Sequence, residues 1–396
     1  MKKILLFGAF DRYNFGDNLM PIVFNEYIKK FKPDILKNYK IEYVAISSSD
    51  LSKYKCYKTK NITNVISTLE EGSAIIVIGG EVLCGKNSDL FLHMQNNYIT
   101  HLCFKTIRKM TRSYFSKLVR PLYSTPWEFP FIPDPNYLPG KTKIFYNSVG
   151  GTLSNLNPID FNDVKRRIDS SDLVSVRDVR THKQVDFSNK SLVSPDSVMA
   201  ISEIIDSDKV RENVSDSIIE SCNSDYIVIQ AAPKKIGCSE KEMFESIIDI
   251  KNKTDKKIIL LPIGYASGHD DYQLLKRVYD RLDGNVELLF ELNIWEILYV
   301  IMNSNMYIGT SLHGVIISIA YNIPHFGINK KITKLDEFLK DWSVYPFNKC
   351  HSFSELSEVV NLDFSKPLNR LCEKSERAKK QVIKNNDRII ELILGN

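Results

Sequence analysis

Ser311 and His313 have the residue types and the spacing to bind an anion and to move a proton. They follow the apolar run 306–308, which is typical of a buried strand, and they precede an apolar helical pattern. The amides of a first helical turn, here those of Leu312 and Gly314 among others, lack partners within the helix and attract anions. Imidazole has an ordinary pKa of about 6.5 and suits proton transfer at neutral pH. We therefore predict an anion site with His313 as acid or base; the alternative is a capped core helix with an incidental histidine.

A second candidate site lies in the loop after the first apolar strand, Lys2–Phe7. Asn14, Gly16 and Asp17 follow this strand, and glycines at a strand-to-helix turn let a ligand approach the backbone. Asp17 is either the N-cap of the next helix or a catalytic carboxylate. The loop does not match G-x-G-x-x-G, so dinucleotide binding receives little support.

Two further residues come at the ends of apolar runs. Gly80 belongs to a glycine pair after the run 74–78 and is predicted to lie at the same ligand edge. Arg177 follows the run 172–176, where a guanidinium could hold a phosphate or carboxylate through two parallel hydrogen bonds. A salt bridge between Arg177 and Asp178 is the alternative.

The elements that must position these residues form a repeating pattern of apolar strands and helical segments. The pattern is typical of an α/β fold with doubly wound parallel sheets, whose ligand loops lie at the carboxyl edge. It restarts after Ser194-Pro195-Asp196, so we predict two Rossmann-like domains, 1–195 and 196–370, facing a cleft in a GT-B-like arrangement. Residues 371–396 are predicted to form a C-terminal helix.

Composition limits the class of protein. The 396 residues are 43% apolar and carry a net charge of +5, which suits an anionic small substrate and does not indicate nucleic acid. Seven cysteines without a C-x-x-C pair favour reduced thiols and a cytoplasmic location. No apolar run approaches the length of a membrane span, and no residue set has metal-ligand spacing, so we predict a soluble or peripheral protein without a metal.

The insertion at about 90–140 contains a basic and aromatic segment. No acidic residue lies between Asp89 and Glu128, and residues 104–122 alternate bases with apolar side chains. The predicted apolar stripe consists of Phe104, Ile107, Tyr114, Phe115, Leu118 and Leu122, and the bases include Arg108, Lys109 and Arg112. This pattern predicts a helix on an anionic membrane surface; packing against its own domain is the alternative.

Three motifs give a resemblance to a known family. The segment TSLHGVIISIAYNIP resembles the C-terminal signature of the polysaccharide pyruvyl transferases, GAFDRYNFGDNLM is similar to their opening loop, and SVRD resembles their internal arginine motif. The three motifs span most of the chain in the family's order.

The resemblance implies a reaction. Phosphoenolpyruvate would be the donor substrate, no cofactor would be needed, and a sugar diol on a polyprenyl-diphosphate-linked glycan would be the acceptor, bound on the side of the 90–140 insertion. Many relatives have arginine where this chain has Ser311, so another cation must replace it, and Lys331 is a candidate. Two alternatives stay open: a GT-B glycosyltransferase that uses a nucleotide sugar, with Glu291 or Glu296 at its ribose, and a sugar-binding scaffold.

Overall fold

The structure is a computed structural model, which describes residues 1–83, 85–93, 98–111, 114–120, 122–123, 125–264, 271–282 and 284–395. Its strands are β1 (Lys2–Phe7), β2 (Tyr39–Ala45), β3 (Lys60–Asn61), β4 (Ala74–Ile78), β5 (Lys143–Val149), β6 (Leu173–Val176), β7 (Ser191–Val193), β8 (Tyr226–Gln230), β9 (Lys257–Leu260), β10 (Val286–Leu288), β11 (Met306–Gly309), β12 (His325–Ile328) and β13 (Cys350–His351). Its α-helices are α1 (Phe15–Phe31), α2 (Ile62–Ile66), α3 (Asn87–His93), α4 (Tyr98–Thr111), α5 (Phe115–Val119), α6 (Pro158–Asp169), α7 (Val179–His182), α8 (Ile201–Ile204), α9 (Ser207–Arg211), α10 (Asp216–Ser221), α11 (Glu240–Asn252), α12 (Asp271–Tyr279), α13 (Ile294–Met302), α14 (Leu312–Ala320), α15 (Thr333–Trp342) and α16 (Ser365–Leu394).

The chain separates into two compact units. The first consists of Met1–Ser197 together with Val382–Asn396, and the second of Val198–Gln381. Helix α16 therefore contributes its first part to the second unit and its last part to the first unit. In the first unit this last part is held by the Tyr27 hydroxyl, which donates to Asp387 at 2.7 Å, and by Asn147, which donates to Asn386 at 3.0 Å.

The first unit contains a parallel sheet in the order β3-β2-β1-β4-β5-β6-β7. The strands β1 and β4 lie side by side, and their β-branched and aliphatic side chains are buried because helices cover both faces of such a sheet. Chain order reverses between β1 and β4, and open α/β sheets bind ligands outside the carboxyl ends of the strands at such a switch point. The loop containing Asn14 and the pair Gly79-Gly80 follow these two strands.

The second unit repeats this arrangement, with a parallel sheet in the order β10-β9-β8-β11-β12-β13. Its switch point lies between β8 and β11, which pair in parallel from Met306 against Ile227 to Gly309 against Gln230. The predicted strand, helix and strand around His313 are present as β11, α14 and β12. Asn322, two residues after the end of α14, has a left-handed φ of 56°, a conformation that asparagine tolerates at helix ends.

The predicted start of the C-terminal helix differs from that in the structure. Helix α16 begins at Ser365 rather than at residue 371, because Asp363 accepts hydrogen bonds from the backbone and hydroxyl of Ser365 and so starts the helix earlier. The short elements β3, β7 and β13 have only two or three residues each, too few to show a sequence period.

Among the described residues, none of the helices combines the length and apolar character needed to cross a bilayer.

Candidate functional site

The turn between β11 and α14 places two half-buried polar residues at the start of a helix whose other residues are mostly buried. Ser311 is the N-cap with extended backbone at φ −87°, and its hydroxyl accepts a hydrogen bond from the Gly314 amide at 3.4 Å. Leu312 is buried against the unit, whereas Ser311 and His313 are half-buried in the first turn. The turn therefore presents an imidazole beside the amides and positive dipole end of a helix, a combination that can bind an anion and exchange a proton with it.

Gly314 is required by the side chain beneath it. A Cβ at this position would lie 2.1 Å from the ring and hydroxyl of Tyr307, and a Cβ at Gly309 would lie 2.5 Å from the same hydroxyl. Tyr307 is fully buried between these two glycines. The side of the helix at Gly314 is thus filled by an aromatic ring, which fixes how closely α14 approaches β11.

A buried polar network supports this turn from the switch point. The Gln230 carbonyl oxygen accepts hydrogen bonds from the Thr310 amide at 3.0 Å and the Thr310 hydroxyl at 3.2 Å. The Gln230 amide nitrogen donates to Asp271 at 2.7 Å. The same Asp271 oxygen, Oδ2, also accepts from the amides of Ile263 and Gly264. Hydrogen bonds through Gln230 and Asp271 therefore link the ends of β8, β9 and β11 close to Ser311 and His313.

Asp271 is an unusual carboxyl group within this network. It is 2% exposed, and among the described residues its Oδ1 atom has no hydrogen-bond partner. Burial raises the pKa of Asp271 to about 6, although Gln230, the two amides and Lys235 each favour the ionised form. Since the pKa in the folded state exceeds the ordinary value, the folded protein holds this proton more tightly than the unfolded chain, and stability falls as pH rises from about 4 to about 6.

The Asp271→Asn variant is expected to lose this part of the pH dependence. A shift from 3.8 to about 6 corresponds to about 3 kcal/mol at 1.36 kcal/mol per unit. The unfolding free energy of the variant should therefore rise relative to that of the wild type by about this amount between pH 4 and pH 7. Urea unfolding across this range measures it.

Asp225→Asn is the matched control, since Asp225 pairs with Lys256 at 2.7 Å and this lysine lowers the pKa of Asp225. The control should show almost no change with pH across this range, because a lowered pKa places the titration of Asp225 below its ordinary value of 3.8. A stability difference between Asp271→Asn and wild type that does not change with pH contradicts the assignment.

Two lysines bring positive charge to this edge of the second sheet. Lys331 is exposed after β12, and its amide donates to the side chain of Asn329 at 3.0 Å. Lys235, which the sequence analysis did not single out, follows β8, and its carbonyl accepts from Asn329 at 2.9 Å. Asn329 has a left-handed φ of 73° and so bends the chain back toward this edge. The position of Lys235, five residues beyond an apolar strand, could have indicated from the sequence that it lies at this edge.

In the first unit, Asn14 and not Asp17 is the N-cap of α1. Its side chain accepts hydrogen bonds from the amides of Gly16 at 3.1 Å and Asp17 at 3.4 Å. The helix thus begins at Phe15, three residues earlier than an Asp17 cap would allow. The capping interpretation of Asp17 is therefore wrong, and its half-buried carboxylate lies in the first turn instead.

The glycine pair after β4 lies against this first turn. Gly79 and Gly80 have left-handed φ values of 48° and 76°, which few residues other than glycine adopt. A Cβ at Gly80 would lie 3.5 Å from Asp17 Oδ1, and one at Gly79 would lie 1.9 Å from the sulfur of Met20. The structure therefore brings together the predicted residues Asn14, Gly16, Asp17 and Gly80 at the switch point of the first sheet.

Arg177 is occupied by a buried ion network. Only 1% of the residue is exposed, and its guanidinium bonds to Glu81 and lies 3.6 Å from Asp178. Glu81 also accepts from Arg180 at 2.8 Å, and Asp178 caps α7 through the Thr181 amide. The salt bridge to Asp178 that was the alternative for Arg177 is thus present, together with a hydrogen bond to Glu81. A donor contact by Arg177 stays a prediction.

Glu81 and Arg180 are residues that sequence reasoning missed. Glu81 directly follows Gly79-Gly80, and Arg180 follows Arg177 by three residues, so both positions could have been identified from the sequence as polar groups at strand ends.

The insertion also contains a cavity of about 200 Å³, and its lining includes Arg120, Trp127, Glu128 and Tyr137. Burial raises the pKa of Glu128 in this cavity.

Of the two residues named for the glycosyltransferase alternative, Glu296 has a structural role. Glu296 completes a capping box at the start of α13, where it accepts from the Asn293 amide at 2.9 Å and from the Ser215 hydroxyl at 2.8 Å. Glu291 has a left-handed φ of 53° in the preceding loop. Glu296 therefore serves helix capping in this structure.

Comparison with known proteins adds a family and a fold. A family model described as polysaccharide pyruvyl transferase matches residues 14–330. No curated protein matches the chain significantly.

Similar solved structures include the UDP-GlcNAc 2-epimerase from Neisseria meningitidis bound to UDP-GlcNAc, with a TM-score of 0.54, 12% identity and 100% coverage of both chains. MnaA of S. aureus with UDP has a TM-score of 0.55 and 12% identity over 100% of this chain and 97% of its own. A variant of the wall teichoic acid polymerase TagF has a TM-score of 0.50 and 11% identity over 100% of this chain and 88% of its own. At these identities the similarity shows the fold, which is GT-B, and the predicted fold class is confirmed.

Proposed function

The chain belongs to the polysaccharide pyruvyl transferase family, and on that premise we propose that it transfers pyruvate from phosphoenolpyruvate to two hydroxyls of one sugar. The product is a cyclic pyruvate ketal on a lipid-linked or polysaccharide glycan, and phosphate is released. The observation that carries the assignment to this chain is the β11–α14 turn, which combines helix amides with His313 at a sheet switch point.

The chemistry sets two requirements. The methylene carbon of phosphoenolpyruvate must gain a proton, so that the adjacent carbon becomes electrophilic and is attacked by both hydroxyls while the carbon–oxygen bond to phosphate breaks. The two hydroxyls lose two protons, of which one balances the new methyl group and the other leaves with the phosphate. His313 is suited to the first or last of these transfers, and Asp17 is our second candidate for a proton-transfer group.

The donor anion also needs positive charge. Amides of Leu312 and Gly314 and the hydroxyl of Ser311 can bind its oxygens without a metal. Since Ser311 supplies no charge, we propose that Lys331 and Lys235 at the same sheet edge replace the arginine of many relatives. No cofactor is required by this reaction.

We assign the acceptor to the first unit. The cavity of about 200 Å³ in the insertion combines the aromatic rings of Trp127 and Tyr137 with Arg120 and Glu128, groups that suit the apolar faces and hydroxyls of a sugar. A polyprenyl diphosphate carrier would be reached at the cytoplasmic face of a membrane, so we propose a cytoplasmic location.

The reaction is tested by incubating the full chain with phosphoenolpyruvate and a panel of aryl glycosides of galactose, glucose, mannose and N-acetylhexosamines. Mass spectrometry should find a glycoside that gains the mass of one pyruvate less one water, with one phosphate released for each ketal formed.

A product that forms from a nucleotide sugar and not from phosphoenolpyruvate overturns the proposal in favour of the glycosyltransferase alternative. Glycan binding without turnover of either donor favours the scaffold and also overturns it. A donor-only control without glycoside excludes spontaneous or contaminating phosphate release.

A further inference from the structure

Helices α4 and α5 each have an inner face that packs and an outer face that is apolar and exposed. On the inner side, the rings of Phe91 and Phe104 meet edge to face with centroids 4.9 Å apart, and Phe91 and Phe115 lie 6.4 Å apart. Val119 joins this cluster one helical turn after Phe115. These contacts anchor both helices to the first unit. For Phe104 and Phe115 the alternative of packing against their own domain therefore applies: Phe115 is part of the core, and Phe104 is half-buried against it.

The outer side presents large apolar side chains that are exposed. We define the α4–α5 surface by these residues and by the exposed bases among them, namely Ile99, Leu102, Lys105, Ile107, Lys109, Met110, Tyr114, Lys117, Leu118 and Leu122. Ile99, Leu102 and Met110 recur at three- and eight-residue steps, which places them along one face of α4. Met110 is 80% exposed and Leu122 is 68% exposed. Apolar surface on this scale is typical of an interaction site.

The charge of the same segment has one sign. Six lysine and arginine residues and no acidic residue occur between Asp89 and Glu128. Arg108 pairs with Asp89 on α3, and Arg112 lies outside the described residues. Lys105, Lys109 and Lys117 are exposed beside the apolar side chains. Long basic side chains can keep their ammonium groups at the level of lipid headgroups while apolar neighbours enter the acyl boundary.

This combination favours a bilayer over a protein partner. The centres of protein–protein interfaces are depleted in lysine, whereas lysines here alternate with the apolar residues of both helices. A two-fold contact with a second copy would bring the same basic surface against itself, and like charges would repel. An anionic lipid surface is complementary to both properties at once.

We propose that the α4–α5 surface docks the protein on an anionic bilayer. Leu102, Met110, Leu118 and their apolar neighbours insert shallowly, and Lys105, Lys109 and Lys117 contact the headgroup phosphates. The proposal does not depend on the reaction proposed above, because it concerns only where the first unit attaches.

Co-sedimentation with sucrose-loaded vesicles tests it directly. The full chain should bind vesicles of equal phosphatidylglycerol and phosphatidylcholine at low salt, and should bind phosphatidylcholine vesicles at least about tenfold more weakly. The triple variant Leu102→Ser, Met110→Ser and Leu118→Ser removes apolar contacts, and the triple variant Lys105→Ser, Lys109→Ser and Lys117→Ser removes charge. Each should reduce binding about tenfold or more, and added salt should weaken wild-type binding.

Matched controls change exposed residues on other elements. The triple variants Leu36→Ser, Ile159→Ser and Leu362→Ser, and Lys37→Ser, Lys141→Ser and Lys241→Ser, should bind as the wild type does. Equal binding of the α4–α5 variants and their controls overturns the proposal, as does absence of binding to anionic vesicles. Concentration-dependent dimerisation that the apolar variant abolishes, without vesicle binding, assigns the surface to a second copy instead and equally overturns it. All substituted residues are exposed, and unchanged thermal unfolding confirms that each variant is folded.

Discussion

Replacement of His313 by alanine is expected to lower turnover about 10²–10⁴-fold while the protein stays folded. The imidazole lies half-buried in the first turn of α14, beside amides that attract an anion, and it is not part of the apolar stripe that packs against β11 and β12. Its removal should therefore affect proton transfer far more than packing. Phosphate release from phosphoenolpyruvate in the presence of a responsive aryl glycoside measures the change.

The control for this variant is His182→Ala, since His182 is also half-buried and its ring lies 3.3 Å from the Ser191 hydroxyl on β7. The control should keep wild-type turnover. Thermal stabilisation by phosphoenolpyruvate should persist in His313→Ala if the amides alone hold the donor. Wild-type turnover in folded His313→Ala would remove the residue from the reaction.

Replacement of Arg177 by methionine is expected to lower the unfolding free energy by about 3–5 kcal/mol. The change leaves the carboxylates of Glu81 and Asp178 near each other with Arg180 as their remaining shared cation, and Asp178 is fully buried. A buried charge that loses its partner is much more costly than an exposed one. Urea unfolding of the full chain provides the measurement.

Arg277→Met is the matched control, because Arg277 pairs with Glu240 at 3.0 Å on the surface and should change stability by about 1 kcal/mol or less. Combining Arg177→Met with Glu81→Gln should recover part of the loss, since one of the unbalanced carboxylates is then neutral. A loss no larger than that of the control contradicts a structural role. Arg177→Lys then tests the predicted donor contact: a folded variant that phosphoenolpyruvate stabilises as it does the wild type excludes that contact.

The segment around His313 was predictable because local rules agree there. A cap residue, a helical apolar stripe and a proline after Asn322 each indicate the same boundaries, and α14 extends from Leu312 to Ala320. The need for glycine at position 314 was not predictable, because a Cβ there would meet the ring of Tyr307. The position of this ring depends on the pairing of β11 with β8 and not on local sequence.

Other parts of the site depend on contacts between distant segments. Asn14 and Asp17 are both good capping residues, and the choice between them is made by where α1 packs. Glu81 meets Arg177 across 96 positions of sequence, and Gln230 meets Thr310 across 80. Sequence reasoning located the strand ends that carry these residues but could not determine which side chains pair, because parallel strands bring together residues from separate crossover units.

The difference in burial between Phe104 and Ile99 also depends on contacts between distant segments. Both lie on α4 in a segment with a mixed apolar pattern, and Phe104 faces inward, where its ring contacts Phe91 on α3. A helical stripe read from sequence assigned Phe104 and Phe115 to the outside. In the structure the inner stripe is aromatic and the outer stripe is largely aliphatic.

The membership of α16 in both units has a consequence for the order in which the protein is made. Ile389, Ile390 and Ile393 are buried parts of the first unit, and Asn386 meets Asn147 there, yet these residues leave the ribosome only after all of the second unit. Domains usually fold as units in order of synthesis, with the N-terminal one first. Here the nascent first unit must wait with an unfilled apolar surface beside β5 and α1, so its completion depends on the synthesis of residues 382–396.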